Sequence, residues 1–98
     1  MRKIIEIIIH CTATKEGQNF TVDDIRRWHI ERGFSDCGYH IVVRLDGAIE
    51  IGRPIETVGA HCMGHNSYSI GIAYVGGLDA QGRPKDTRTA AQKVSLRF

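Results

Sequence analysis

The chain opens on an isoleucine run broken once, Ile4-Ile5-Glu6-Ile7-Ile8-Ile9, and the run stops at His10. β-Branched side chains lose freedom in a helix and pack well on a pleated surface, so this segment is expected to be a strand. Apolar residues fall on both faces, which marks a central strand covered on both sides. Period two sets Glu6, Ile8 and His10 on one face. His10 then stands at the carboxyl end of a central strand, where open α/β sheets tend to place their sites. Met1-Arg2-Lys3 ahead of the run imitates a secretory leader. Glu6 interrupts the apolar stretch, however, and no small-residue cleavage site follows His10. The run therefore reads as a buried strand, and the chain is expected to be made and kept in the cytoplasm. No stretch approaches the length of a membrane span.

Residues 11–20 are polar and read as a loop. Thr21 and Asp24 fit a capping box at the start of a helix, with Asp23 and Asp24 in its first turn and Arg26, Arg27 and Arg32 later, which suits the helix dipole. Val22, Ile25, Trp28 and His29 form the apolar stripe. Gly33 ends the helix, with Phe34 placed for the usual hydrophobic contact. Residues 39–45 read as a second strand, Asp46-Gly47 as a hairpin turn, and residues 48–51 as a third strand. A loop region follows over 52–68, then a fourth strand over 70–75 that is apolar on both faces. A polar loop over 76–86 leads to a last helix near Thr89, where Thr89 and Gln92 fit a second capping box. Its stripe is expected to be Ala91, Val94 and Phe98. That helix is cut short at roughly nine or ten residues, a length that is marginal without packing.

The expected fold is therefore α/β: a mixed central sheet flanked by helices on both faces, with the last helix cut short. Ninety-eight residues make one domain, 1–98, with a thin margin for a core. The 42% hydrophobic and 24% charged content fits a soluble globular protein. A net charge of +2 is too weak to argue for nucleic acid.

Three cysteines, Cys11, Cys37 and Cys62, make an odd count without CxxC spacing. That argues against a disulfide framework and a zinc knuckle. Five histidines occur, at 10, 29, 40, 61 and 65, with no HExxH pair. His29, on the core stripe of a helix, reads as structural. Tyr39 and His40 are adjacent on a strand, so at most one of them is expected to face a given site. Taken alone, Tyr39 reads as a packed aromatic with its hydroxyl at a rim.

Several segments, in order, resemble the zinc-dependent N-acetylmuramoyl-L-alanine amidases of the phage-lysozyme and peptidoglycan-recognition type. Ile8-Ile9-His10-Cys11-Thr12-Ala13-Thr14 resembles the family's strand-end motif, and Gly38-Tyr39-His40-Ile41-Val42 its tyrosine segment. Asp46-Gly47 with Glu50-Ile51-Gly52-Arg53 is similar to the hairpin that follows. Gly59-Ala60-His61, Gly64-His65-Asn66 and Ser69-Ile70-Gly71-Ile72 are similar to the substrate side. Trp28-His29 and Val75-Gly76-Gly77 also match.

The resemblance implies hydrolysis of the amide between N-acetylmuramic acid and L-alanine in peptidoglycan, an anionic polymer that a mildly basic chain suits. It makes His10 a zinc ligand and Tyr39 the catalytic hydroxyl, which donates to the developing oxyanion or relays a proton. His61 and Asn66 are expected to hydrogen-bond the muramoyl-peptide stem, with a turn-stabilising role left open for both. Cys11 points to the other face and is expected to be core. Zinc in such enzymes keeps three protein ligands and an open position for water.

The family's second zinc histidine and its cysteine or aspartate ligand follow the last long helix, with a lysine or threonine between them. This sequence ends inside that helix, so the expected zinc site is incomplete. Four readings follow: an amidase or a piece of one, a muropeptide-binding module, a homo-oligomer or other assembly in which a partner chain completes the site, and an inactive remnant. A lytic role would require release to the cell wall once the membrane is permeabilised.

Overall fold

The structure, a computed structural model, describes residues 2–97. Strand β1 (Glu6–Cys11) pairs in parallel with β5 (Ser69–Tyr74), which pairs in parallel with β3 (Ile41–Val43), and β3 pairs antiparallel with β4 (Ile49–Ile51). The sheet order is β1-β5-β3-β4, a mixed sheet as expected. Two short strands, β2 (Thr14–Lys15) and β6 (Gly77–Leu78), form a second parallel pair inside stretches that read as loops. The central strand is β5, and β1 lies at the edge.

This corrects the reading of the isoleucine run. Glu6, Ile8 and His10 do share the better covered face. Ile5, Ile7 and Ile9 remain 66%, 53% and 52% exposed, and Ile49 and Ile51 on β4 are exposed as well. Apolarity on both faces marks a strand able to be covered twice. Whether it is covered depends on how much helix lies over each face.

Helix α1 (Val22–Glu31) covers one face. Val22 and Ile25 join Cys37, Val42 and Val75 in the core, with Phe20, Trp28, Tyr39 and Leu45 packed around them. Its ends follow the sequence closely. Thr21 Oγ1 accepts from the Asp24 amide at 3.2 Å, and the Asp24 carboxylate accepts from the Thr21 amide at 2.9 Å. At the other end Gly33 takes φ +99°. Its amide donates to Ile30 O and that of Phe34 donates to His29 O, both at 3.0 Å. These paired bonds are a Schellman stop, which needs a residue tolerant of positive φ at Gly33. The Phe34 ring then packs on His29 at 5.0 Å.

The Asp46-Gly47 hairpin has a three-residue loop, closed by bonds between Arg44 and Ala48 and between Gly47 and Arg44, with Gly47 at φ +85°. Helix α2 (Ala90–Ser95) carries the expected capping box between Thr89 and Gln92. Its buried residue is Gln92, not the expected stripe residue Val94, which is exposed. Gln92 Nε2 donates to Val75 O, just past the end of β5, at 2.9 Å and to Val43 O, on the last residue of β3, at 3.3 Å. A buried donor bonded to two carbonyls outweighs the apolar pattern here, because unpaired buried carbonyls are costly. The stripe position assigned to Phe98 lies outside the described residues. No helix among the described residues is long and apolar enough to cross a membrane.

Candidate active site

His10 is the penultimate residue of β1, in register with Ala73 of β5. Its ring meets two others. Tyr39, just before β3, lies 5.6 Å away between ring centroids, and His61, on the loop before β5, lies 5.1 Å away and nearly edge-on at 80°. His10 Nε2 and His61 Nδ1 share a hydrogen bond of 2.9 Å. His61 Nε2 shares another with the buried Ser69 hydroxyl at 3.2 Å.

The seat of His61 is made by glycine. A Cβ on Gly71, in the middle of β5, would stand 2.5 to 2.7 Å from three atoms of the His61 ring, and one on Gly59 would stand 2.9 Å from His61 Cδ2. Glycine inside an apolar strand signals such a close approach. That signal was present at Gly71, but its connection to His61 needed the fold. Ser69 was likewise visible only as part of a similar segment.

His40 and His29 are structural, as their hydrogen bonds decide. His40 Nδ1 accepts from the Gly71 amide at 3.0 Å, so its proton is on Nε2 and is donated to Thr57 O at 2.8 Å. The Arg2 guanidinium, 3.0 Å from the same Nε2, then faces another donor. Arg2 instead donates to the carbonyls of Ile55 and Ser69 at 2.8 and 2.9 Å. His29 Nδ1 accepts from the Gly38 amide at 2.7 Å. Of the adjacent pair, Tyr39 meets His10 at 5.6 Å, whereas His40 is fully buried with both ring nitrogens bonded to backbone and reaches only the His61 ring, at 5.9 Å.

Asn66 Oδ1 accepts from the amides of His61 and Cys62, both at 3.0 Å. It therefore staples the loop that carries His61. Beside this loop is a hollow of about 330 Å³ lined by Phe34, Ala60, His61, Cys62, Met63 and Asn66. Another, of about 520 Å³, lies between Ile9 and Tyr74 on the other sheet face and Lys93 and Leu96 near α2, and no histidine lines it. His65 is apart from the cluster, bonded to Glu6 at 2.7 Å. All three cysteines are free thiols.

Burial keeps the cluster uncharged. It lowers the pKa of His10, and it raises that of the Tyr39 phenol with small additions from Cys11 and Cys37. His61 falls to about 4, through burial first and then the fields of His10, His40 and Arg2. An unfolded histidine binds its proton near pH 6.5, so between pH 6.5 and about 4 the unfolded chain holds more protons at this position. Stability from a neutral His61 is therefore present above pH 6.5 and lost as pH falls toward 4. Urea midpoints are expected to drop across that window, and His61→Asn is expected to flatten the slope. An equal slope in the variant would assign the acid sensitivity elsewhere.

The surroundings of His10 suit a metal ligand. Its imidazole is neutral at ordinary pH, it is held on a strand end, and no described residue hydrogen-bonds its Nδ1. Among the described residues no three His, Cys, Asp or Glu side chains gather closely enough to hold an ion.

A sequence profile described as N-acetylmuramoyl-L-alanine amidase matches residues 1–97. The chain belongs to this amidase family. The endolysin of Klebsiella phage KP32 is 47% identical over 92 residues, covering 94% of this chain and 61% of that relative. The endolysin of Escherichia phage T7 is 47% identical over 91 residues, covering 93% and 60%. The chain thus spans less than two thirds of the length of these amidase-family relatives. Among solved structures, the amidase LysC from Clostridium intestinale URNW superposes with a TM-score of 0.81 at 34% identity, covering 97% of this chain and 58% of that one. Peptidoglycan recognition protein LE, solved in complex with tracheal cytotoxin, a monomeric diaminopimelic acid-type peptidoglycan, gives 0.80 at 30% identity, covering 99% and 58%.

Proposed function

We propose that the chain serves zinc-dependent hydrolysis of the amide between N-acetylmuramic acid and L-alanine in peptidoglycan, with His10 as a metal ligand and Tyr39 as the catalytic hydroxyl. The observation that carries this reading is the meeting of His10 with Tyr39 and His61 at a strand end, with His61 also lining a hollow. Bound zinc would lower the pKa of a water toward about 7 and polarise the scissile carbonyl. His10 contributes one nitrogen, already neutral. Tyr39, its phenol kept protonated by burial, donates a hydrogen bond to the oxygen that gains charge as the amide is attacked.

His61 and Asn66 border the hollow proposed to take the muramoyl peptide. With Asn66 Oδ1 engaged by two loop amides, Nδ2 is the part of that side chain left to meet substrate. Zinc sites take three or four protein ligands. In this proposal the ligands besides His10 are not among the described residues. The substrate also sets the place of action, at the cell wall after release from the cell.

A second reading is a binding module that holds muropeptide without cutting it. The peptidoglycan bound to a structural neighbour favours it. Zinc analysis combined with release of stem peptide from purified peptidoglycan, with and without chelator, separates the two. Hydrolysis predicts release that stops on chelation and returns with zinc. Muramoyl peptide bound but uncut, with zinc present, would replace the enzyme by the module. Neither binding nor release would sink both.

A further inference from the structure

We infer that His61 is a positioning residue for His10: backed by Ser69, it holds the His10 ring so that Nδ1, and not Nε2, is the nitrogen offered to a metal ion. The inference rests on the ligand role proposed for His10 and adds which atom binds and what aims it.

The proton order gives the first argument. His10 Nε2 faces His61 Nδ1 at 2.9 Å, and His61 Nε2 faces Ser69 Oγ at 3.2 Å. A neutral imidazole carries one N–H and one lone pair. If His10 Nε2–H donates to His61 Nδ1, then His61 Nε2–H donates to Ser69 and His10 keeps its lone pair on Nδ1. In the reverse order His61 donates to His10, whose own proton then occupies Nδ1 and leaves no lone pair for an ion. Metal-ligating histidines generally commit their second nitrogen to a fixed partner, which sets tautomer and ring angle. An imidazole partner does this without adding a charge.

The second argument is steric. A side chain that merely filled space beside His10 would not need the strand beneath it stripped of a Cβ. The His61 ring lies over Gly71 and against Gly59 at distances that a Cβ on either residue would violate. Asn66 pins the peptides on both sides of His61. Ser69, at the far end of the relay, is fully buried on β5. The fold therefore fixes His61 from below, from its own loop and from behind.

A rival arrangement has both rings chelating one ion. Two nitrogens on a tetrahedral zinc, each at about 2.0–2.1 Å, stand roughly 3.3 Å apart. The facing pair is closer than that and hydrogen-bonded.

Long-range proton–nitrogen-15 correlation spectra of the metal-free chain, at roughly pH 8 where imidazoles are neutral, read each ring's tautomer directly. His10 is expected with its proton on Nε2 and a pyridine-like Nδ1. A proton on Nδ1 would overturn the inference. His61→Ala is expected to leave His10 without a single tautomer, whereas His61→Asn, whose Oδ1 stands near the lost Nδ1, retains it. Ser69→Ala, a smaller change if His61→Ala fails to fold, is expected to loosen the same preference, and an unchanged His10 in every variant that folds would also overturn it.

Added zinc is expected to shift His10 Nδ1 alone, and its affinity is expected to fall about 10–100-fold in His61→Ala. A zinc-induced shift at His10 Nε2 or at a His61 nitrogen would replace positioning by chelation. No shift on either ring would sink the ligand role itself, while the metal-free tautomer still decides the relay.

Discussion

Replacing His10 by alanine is expected to remove bound zinc and hydrolysis together, whereas Tyr39→Phe is expected to keep the zinc and lose about 10²–10³-fold in rate, the usual cost of one oxyanion donor. The two residues are neighbours, with rings 5.6 Å apart, but their chemistry differs. His10 brings a lone pair on a rigid strand end. The Tyr39 ring is wedged between His10 and His29, so the phenylalanine variant keeps the packing and deletes only the hydroxyl. Elemental analysis and stem-peptide release on the same preparations separate the two roles. Zinc retained in His10→Ala would make the ligand assignment wrong. An unimpaired Tyr39→Phe would return Tyr39 to a packed aromatic.

The second large effect is expected from the smallest change. Gly71→Ala adds one methyl group, yet that methyl meets the His61 ring at 2.5 Å or little more. Real Cβ contacts of this length do not persist, so the ring or β5 must move. β5 is held between β1 and β3, which leaves the ring to yield. Overpacking of this kind costs about 1–3 kcal/mol, and a domain of this size loses roughly 4–8 °C of Tm per kcal/mol. Displacement of His61 also breaks its bonds to His10 and Ser69. Thermal and urea unfolding measure the first effect, and the His10 tautomer measures the second. An alanine variant with an unchanged midpoint would mean that His61 does not need the glycine.

Local chemistry is legible in the sequence. Both capping boxes form at Thr21 and Thr89, Gly33 stops α1 with positive φ, and Gly47 turns the hairpin. Each depends on residues within a few positions of one another. His10, Tyr39 and His61 were found through spaced similarity to a family, since no single motif here is specific. Covering is not legible in the same way. The isoleucine run has the composition of a central strand, but β5 holds that place, and on α2 Gln92 is buried instead of Val94.

The sequence by itself determined the helix ends, the turns, the strand segments and which face of β1 carries His10, because these follow from dihedral preference and side-chain period over short distances. Only the tertiary structure decided that β1 lies at the edge with Ile5, Ile7 and Ile9 exposed, that Gln92 closes the strand ends, and that Gly71 seats His61 against His10. The physical reason is the same in each case. Strand order, coverage and a 2.9 Å contact between residues 51 positions apart depend on what packs beside a segment, and that is not written in the segment itself.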